Sequence, residues 1–85
     1  VKTHELKIEP PYFQAVLDGR KRFEIRKNDR DFEVGDMLLL KEYDPVKEKY
    51  TGWELKVNVL YITDYAQQPG YVVMSIVKRE LTAND

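Results

Sequence analysis

Hydrophobic and polar positions alternate from His4 to Ile8, with Leu6 and Ile8 on one side and Glu5 and Lys7 on the other. This is the pattern of a half-buried strand. Pro10 and Pro11 end it, because neither ring nitrogen can donate to a ladder and a residue before proline avoids the helical region. The same prolines suit the first turn of a helix. Tyr12, Phe13, Val16 and Leu17 then fall at helical spacing, which predicts a short amphipathic helix of about two turns. Gly19 is the permissive residue just past its end. Arg20 to Lys27 alternates again as a second strand, placing Arg22, Glu24 and Arg26 on one face and Lys21, Phe23 and Ile25 on the other.

Asn28 to Asp31 reads as a polar loop and Val34-Gly35-Asp36 as a tight turn. Met37 to Tyr43 opens on an unbroken apolar run, predicting a strand buried on both faces. Asp44-Pro45 opens a polar loop that closes at Thr51-Gly52. Trp53 to Ile62 is the longest alternating run, with Trp53, Leu55, Val57, Val59 and Tyr61 on one face. Asp64 to Gly70 is a loop, Tyr71 to Val77 a last strand rich in β-branched residues, and residues 82–85 a frayed tail. The expectation is one mostly β (α+β) domain spanning 1–85, with about five strands and one short helix between the first two. Strands of this length in so small a domain favour a closed or partly open barrel, which removes exposed edges.

Composition narrows the chemistry. The 85 residues are 42% hydrophobic and include ten aromatics, six of them Tyr, enough for one compact core. There is no cysteine, which removes a disulfide framework, thiolate metal sites and a Cys nucleophile together. His4 is the lone histidine and no carboxylates share ligand spacing, so neither a metal nor a cofactor is expected. No apolar stretch approaches the ~20 residues of a membrane span, and the first residues lack the hydrophobic core of a signal peptide. A soluble, cytoplasmic protein with no membrane partner is expected.

The net charge is −1, unlike that of a protein that grips duplex backbone non-specifically. Charge is instead polarised. Residues 20–30 hold six cations (Arg20, Lys21, Arg22, Arg26, Lys27, Arg30) against Glu24 and Asp29, a local +4 that leaves −5 for the rest of the chain. Such polarisation suits a small anionic ligand or a few phosphates. Arg26 can offer a planar fork to a phosphate or base edge, Lys21 a point charge, and Glu24 an acceptor for an exocyclic amine. Spacing alone fits equally simple pairing of Glu24 with Arg26 or with a cross-strand charge. Lys27 and Arg30 extend a basic rim, while Asn28 and Asp29 also read as loop residues that bond their own backbone. Tyr12 and Tyr61 read singly as core edges with a wet hydroxyl, and although exposed tyrosines near the basic patch could stack on bases, none is singled out. Trp53 reads as a core residue, and His4 as structural, with no triad spacing around it. There is no Walker loop or Rossmann fingerprint.

Gly19-Arg20-Lys21-Arg22-Phe23-Glu24-Ile25-Arg26 resembles the G-x-K-x-x-E-x-R motif of ASCH (activating signal cointegrator homology) domains, members of the PUA-like barrel superfamily. A longer string is similar to a small uncharacterised bacterial and phage group within it. That string comprises His4 to Lys7, Tyr12-Phe13, KRFEIRKNDRDF, Val34-Gly35-Asp36 and Gly70-Tyr71. The resemblance implies a PUA-like β-barrel with a cleft beside the short helix, lined by Gly19, Lys21, Glu24 and Arg26. It implies an RNA or nucleotide-like ligand held by Lys21, Glu24 and Arg26, to which the charge pattern adds Lys27, Asn28 and Arg30 as the binding rim. It also requires Lys21 to reach the face of Glu24, through a bulge or by lying before the strand proper. Some small ASCH proteins hydrolyse acylated cytidines with a Lys, a Thr and a Glu. Lys21 matches the first, but Glu24 stands where such an enzyme has Thr. Whether the chain is an enzyme therefore stays open, with hydrolysis of a modified nucleoside (Lys21 and Glu24 as its catalytic pair) and a protein-interaction module as alternatives to RNA binding.

Overall fold

Four strands carry an apolar residue at every second position, and their inward faces make the core. In the computed structural model, which describes residues 1–83, the elements in chain order are β1 (Thr3–Ile8), α1 (Pro10–Leu17), β2 (Phe23–Lys27), β3 (Met37–Asp44), β4 (Lys49–Thr63) and β5 (Tyr71–Ala83). Leu6 and Ile8 of β1, Leu38 and Leu40 of β3, Leu55, Val57 and Val59 of β4, and Val72, Met74 and Ile76 of β5 form the buried cluster. The helix adds Phe13 and Val16, each of which contributes about 1.5–3 kcal/mol by leaving water. Eight residues are too few for a helix to persist alone, so packing against β3 supports it. No helix among the described residues is long and apolar enough to cross a membrane.

The five strands form one mostly β, curled half-barrel sheet in the order β1-β3-β4-β5-β2. The β1–β3 pair is parallel, and β3–β4, β4–β5 and β5–β2 are antiparallel. β1 and β2 are therefore the edges. Pairing parity decides what those edges present. Met37 N–H donates to Lys2 O (2.8 Å), so even-numbered residues of β1 face β3. Thr3, Glu5 and Lys7 turn their backbone groups to the open side. On β2, Ile76 N–H donates to Arg22 O (3.1 Å) and Asn28 N–H to Gly70 O (2.7 Å), so Phe23, Ile25 and Lys27 face outward from the sheet.

Several boundaries differ from the pattern-based reading, each for a local reason. β2 starts at Phe23, three residues later than the alternation suggests. Gly19 takes a left-handed φ of 86° just beyond α1, and the chain folds back so that Lys21 N–H donates to Ala15 O (2.9 Å). β3 is buried on one face only, with Leu38 and Leu40 inward and Met37 and Leu39 half-buried. β4 begins at Lys49, so the expected loop is four residues shorter at its end. Its register with β5 slips between Val59 and Tyr61, which ends the inward series at Val59 and restarts it at Ile62. Tyr61, placed on the core face by strict alternation, is consequently 65% exposed. Trp53 is also a correction: it lies 46% exposed, beyond the core end of β4. Thr82 and Ala83, assigned to a frayed tail over 82–85, pair with Glu54 and Trp53 as the end of β5. Residues 84–85 lie outside the described residues.

One buried polar cluster pins the start of β1. Asp36, 1% exposed, accepts from Lys2 N–H (3.0 Å) and Glu33 N–H (3.0 Å) and hydrogen-bonds His4 Nε2 (2.8 Å). His4 in turn meets the Phe32 ring edge-on at 4.7 Å. Burial pushes the Asp36 carboxyl up, but the bonds from the Lys2 backbone, His4 and the Glu33 backbone outweigh it and hold its pKa at about 2. Folding thus lowers this pKa from 3.8 to about 2. The resulting stability, about 2 kcal/mol, is present above the unfolded-state pKa and is lost as pH falls through the folded one. Asp36→Asn is expected to lose about 2 kcal/mol near neutral pH and to flatten the decline in stability between about pH 4 and pH 2. Urea unfolding across that range checks it; an unchanged slope in the variant would assign the decline to other carboxylates.

Candidate functional site

β2 turns Glu24 inward and its apolar residues outward. Glu24, in register with Met74, is 2% exposed, whereas Phe23 and Ile25 are 43% and 50% exposed. A buried carboxylate is costly unless it is paired and hydrogen-bonded. Both Glu24 oxygens are paired. Lys21 Nζ donates to Oε2, and Arg26 donates to Oε1 through Nε (3.1 Å) and Nη2 (2.9 Å). The fold-back after Gly19 delivers Lys21, so it reaches Glu24 from ahead of the strand without any bulge in β2. Arg26 arrives from the same strand face, two residues on.

Each cation has a second task. Lys21 Nζ also donates to Phe23 O (2.8 Å), a carbonyl on the open edge of β2, and sits 5.0 Å from the Phe23 ring centroid. Arg26 Nη2 also donates to Lys7 O (3.0 Å) across the gap between the two edge strands. Arg30 Nη1 donates to Glu5 O (2.5 Å), the next open-edge carbonyl of β1. Side chains, in place of a strand ladder, thus bridge the open seam.

Above the trio lies a cleft of about 330 Å³. Lys7, Ile8 and Glu9 from the end of β1 form one wall, Tyr12 of α1 the second, and Phe23 to Arg26 with Lys21 the third. Tyr12 is 55% exposed, so it and Phe23 offer aromatic surface beside the charged floor. The open-edge N–H and C=O of Ile25 add a backbone donor and acceptor to the same wall. Lys21 and Arg26 retain 17% and 26% side-chain exposure, and each has N–H groups beyond those bonded to Glu24. The cleft can therefore take a planar group against its aromatic walls and an anion at its floor.

Of the six candidate residues, the structure brings together Lys21, Glu24 and Arg26. Lys27, Asn28 and Arg30 are not among the residues lining the cleft. Asn28 Oδ1 accepts from Phe32 N–H (3.0 Å) and so shapes its loop, Arg30 is spent largely on Glu5, and Lys27 is exposed. Sequence reasoning passed over Tyr12, Phe23 and the Ile25 backbone as site groups. The signal lay in register: once Glu24 faces Met74 inward, its neighbours must face out. Among the described residues no group of three or more His, Cys, Asp or Glu could hold a metal ion.

A family model described as "Domain of unknown function (DUF3850)" matches residues 3–76, which include every residue lining the cleft. The chain is also similar to the "Uncharacterized 12.9 kDa protein in GpA 3'region" of Escherichia phage P2, at 43% identity over 63 residues. That alignment covers 74% of this chain and 56% of the phage protein, so the chain spans little more than half of that relative.

The trio predicts its own stability signature. Glu24→Ala leaves two cations facing each other on a half-buried floor and is expected to cost about 3 kcal/mol, a fall in Tm of more than about 10 °C for a domain of this size. Replacing all three residues together by apolar ones of similar volume is expected to recover most of that loss. Thermal unfolding of the single and triple variants checks both. A triple variant as unstable as Glu24→Ala would mean that the pairing contributes more than the removal of stranded charge.

Proposed function

The chain belongs to the family described as Domain of unknown function (DUF3850), and for this member we propose a nucleotide-recognition role. The cleft takes a nucleotide of a single-stranded or structured RNA, and the domain is a PUA-like barrel of the ASCH type left open at one seam. The observation that carries this reading is the pairing of two chemistries in one 330 Å³ space. Exposed Tyr12 and Phe23 surfaces flank a floor where Lys21 and Arg26 have N–H groups to spare. Stacking suits any base, and the two cations suit a phosphate or a base acceptor. The Ile25 edge groups supply a donor and an acceptor for a base edge. Glu24 acts by holding the cations in place. With 2% exposure and both oxygens bonded, it offers little surface to a base amine or to a water. That geometry also gives no support to amide hydrolysis through a Glu24-activated water.

Tyr12 provides a test that spares the buried trio. Tyr12→Ala removes a half-exposed ring, so the fold is expected to persist while affinity for short single-stranded RNA falls by about 1–3 kcal/mol. Fluorescence anisotropy with a labelled mixed-sequence pool checks it. The salt dependence is expected to be shallow, about −0.7 in log–log slope for each phosphate contacted. Undiminished binding by Tyr12→Ala with a steep slope would point to a diffuse basic surface instead of the cleft.

A further inference from the structure

The basic floor continues past Lys21. On the other side of the 19–22 turn lies a second groove of about 500 Å³, which Lys21 also lines. Its floor is Val16 and Ile76 of the core, at 1% and 6% exposure, and its rims carry Arg22, Lys78 and Leu60. Leu60 is 55% exposed, on the outward face next to the inward Val59. The two rim cations are anchored at the end of α1. Arg22 Nε donates to Gly19 O (3.0 Å) and Lys78 Nζ to Leu17 O (2.6 Å). Each bond uses one donor of a group that has five or three, so both cations remain aimed at the rim with donors to spare. The groove's carboxylate, Asp18, is taken up by Arg20 Nε (3.0 Å to Oδ1).

We propose that the two grooves are adjoining subsites for one single-stranded nucleic acid, so that the preferred ligand contains at least two linked nucleotides. This rests on the nucleotide reading of the first cleft and extends it. The first groove takes a base and the second the sugar-phosphate on its 5′ side. Lys21 stands at the phosphate between them, Arg22 and Lys78 meet the next phosphate, and Leu60 lies against the ribose. The aliphatic and basic lining of the second groove fits backbone contact, which is blind to sequence. A free mononucleotide uses only half of this surface.

Titration calorimetry with 5′-mononucleotides and with the corresponding 5′-phosphorylated dinucleotides separates the two claims. The dinucleotide is expected to bind about tenfold or more tightly, as one further charge-assisted contact would give. Leu60→Asp sets a carboxylate in the second groove at an exposed position, and Arg22→Ala with Lys78→Ala removes its cations. Both variants are expected to abolish the dinucleotide's advantage and to leave mononucleotide affinity as it was, and Leu60→Asp keeps every hydrogen bond at the end of α1. Equal affinity for the two ligands in the unaltered protein, or variants that weaken both alike, would overturn the second subsite while leaving the first cleft standing. If neither ligand binds the unaltered protein, the first reading falls and this one with it.

Discussion

A carboxylate buried on an edge strand must bring its countercharges with it, and that requirement organises the β2 side of this domain. Glu24 faces the core next to Met74, and it is tolerated there because Lys21 and Arg26 together hold both of its oxygens. Lys21 can do so only because the chain reverses at Gly19 before the strand begins. Arg26 can do so because two residues along a strand return to the same face. The spare donors of both cations then cap edge carbonyls, at Phe23 and Lys7. One ion-pair network thus holds the seam and floors the cleft, so stability and the proposed ligand chemistry rest on the same atoms.

The same network explains why the sheet stays open. Closing β1 against β2 would require a ladder between the two edges, yet the inward positions of β2 are Glu24 and Arg26. Neither gives apolar surface to set against Leu6 and Ile8. The guanidinium bonds from Arg26 and Arg30 to Lys7 and Glu5 cover the β1 edge instead, and the space they leave is the cleft. At the other end of β1 the Asp36 cluster performs the complementary task, tying the first residues of the strand to the 33–36 turn.

Much of this was legible in the residues, and the exceptions share a cause. Alternation located β1, β4 and β5, and the two prolines followed by helical spacing located α1, because each signal arises within a few neighbouring positions. The separation of Glu24 from Phe23 and Ile25 onto opposite faces was legible too. Which face is inward was not, because hydropathy would bury Phe23 and the cross-strand register with β5 decides otherwise. Tyr61 was misplaced because one register slip in β4 reverses every side chain after it. Trp53 was misplaced because a strand may run on past the core that its middle covers. The trio Lys21, Glu24 and Arg26 could be picked out by charge interleaved with apolar residues. Tyr12 could not be joined to it, since only the tertiary fold brings α1 beside β2.

The central claim, that the trio-floored cleft is a nucleotide site, is tested most directly by an amide NMR titration of the labelled domain with a pool of short single-stranded RNAs. The expected result is a set of shifts at Tyr12, Lys21 and residues 23–26, accompanied by those of the adjoining second groove (Arg22, Leu60 and Lys78) and saturating together, with Lys27 and Arg30 moving less. If those amides stay in place while RNA shifts signals elsewhere, or if only single acylated nucleosides move them, RNA recognition by this cleft is contradicted.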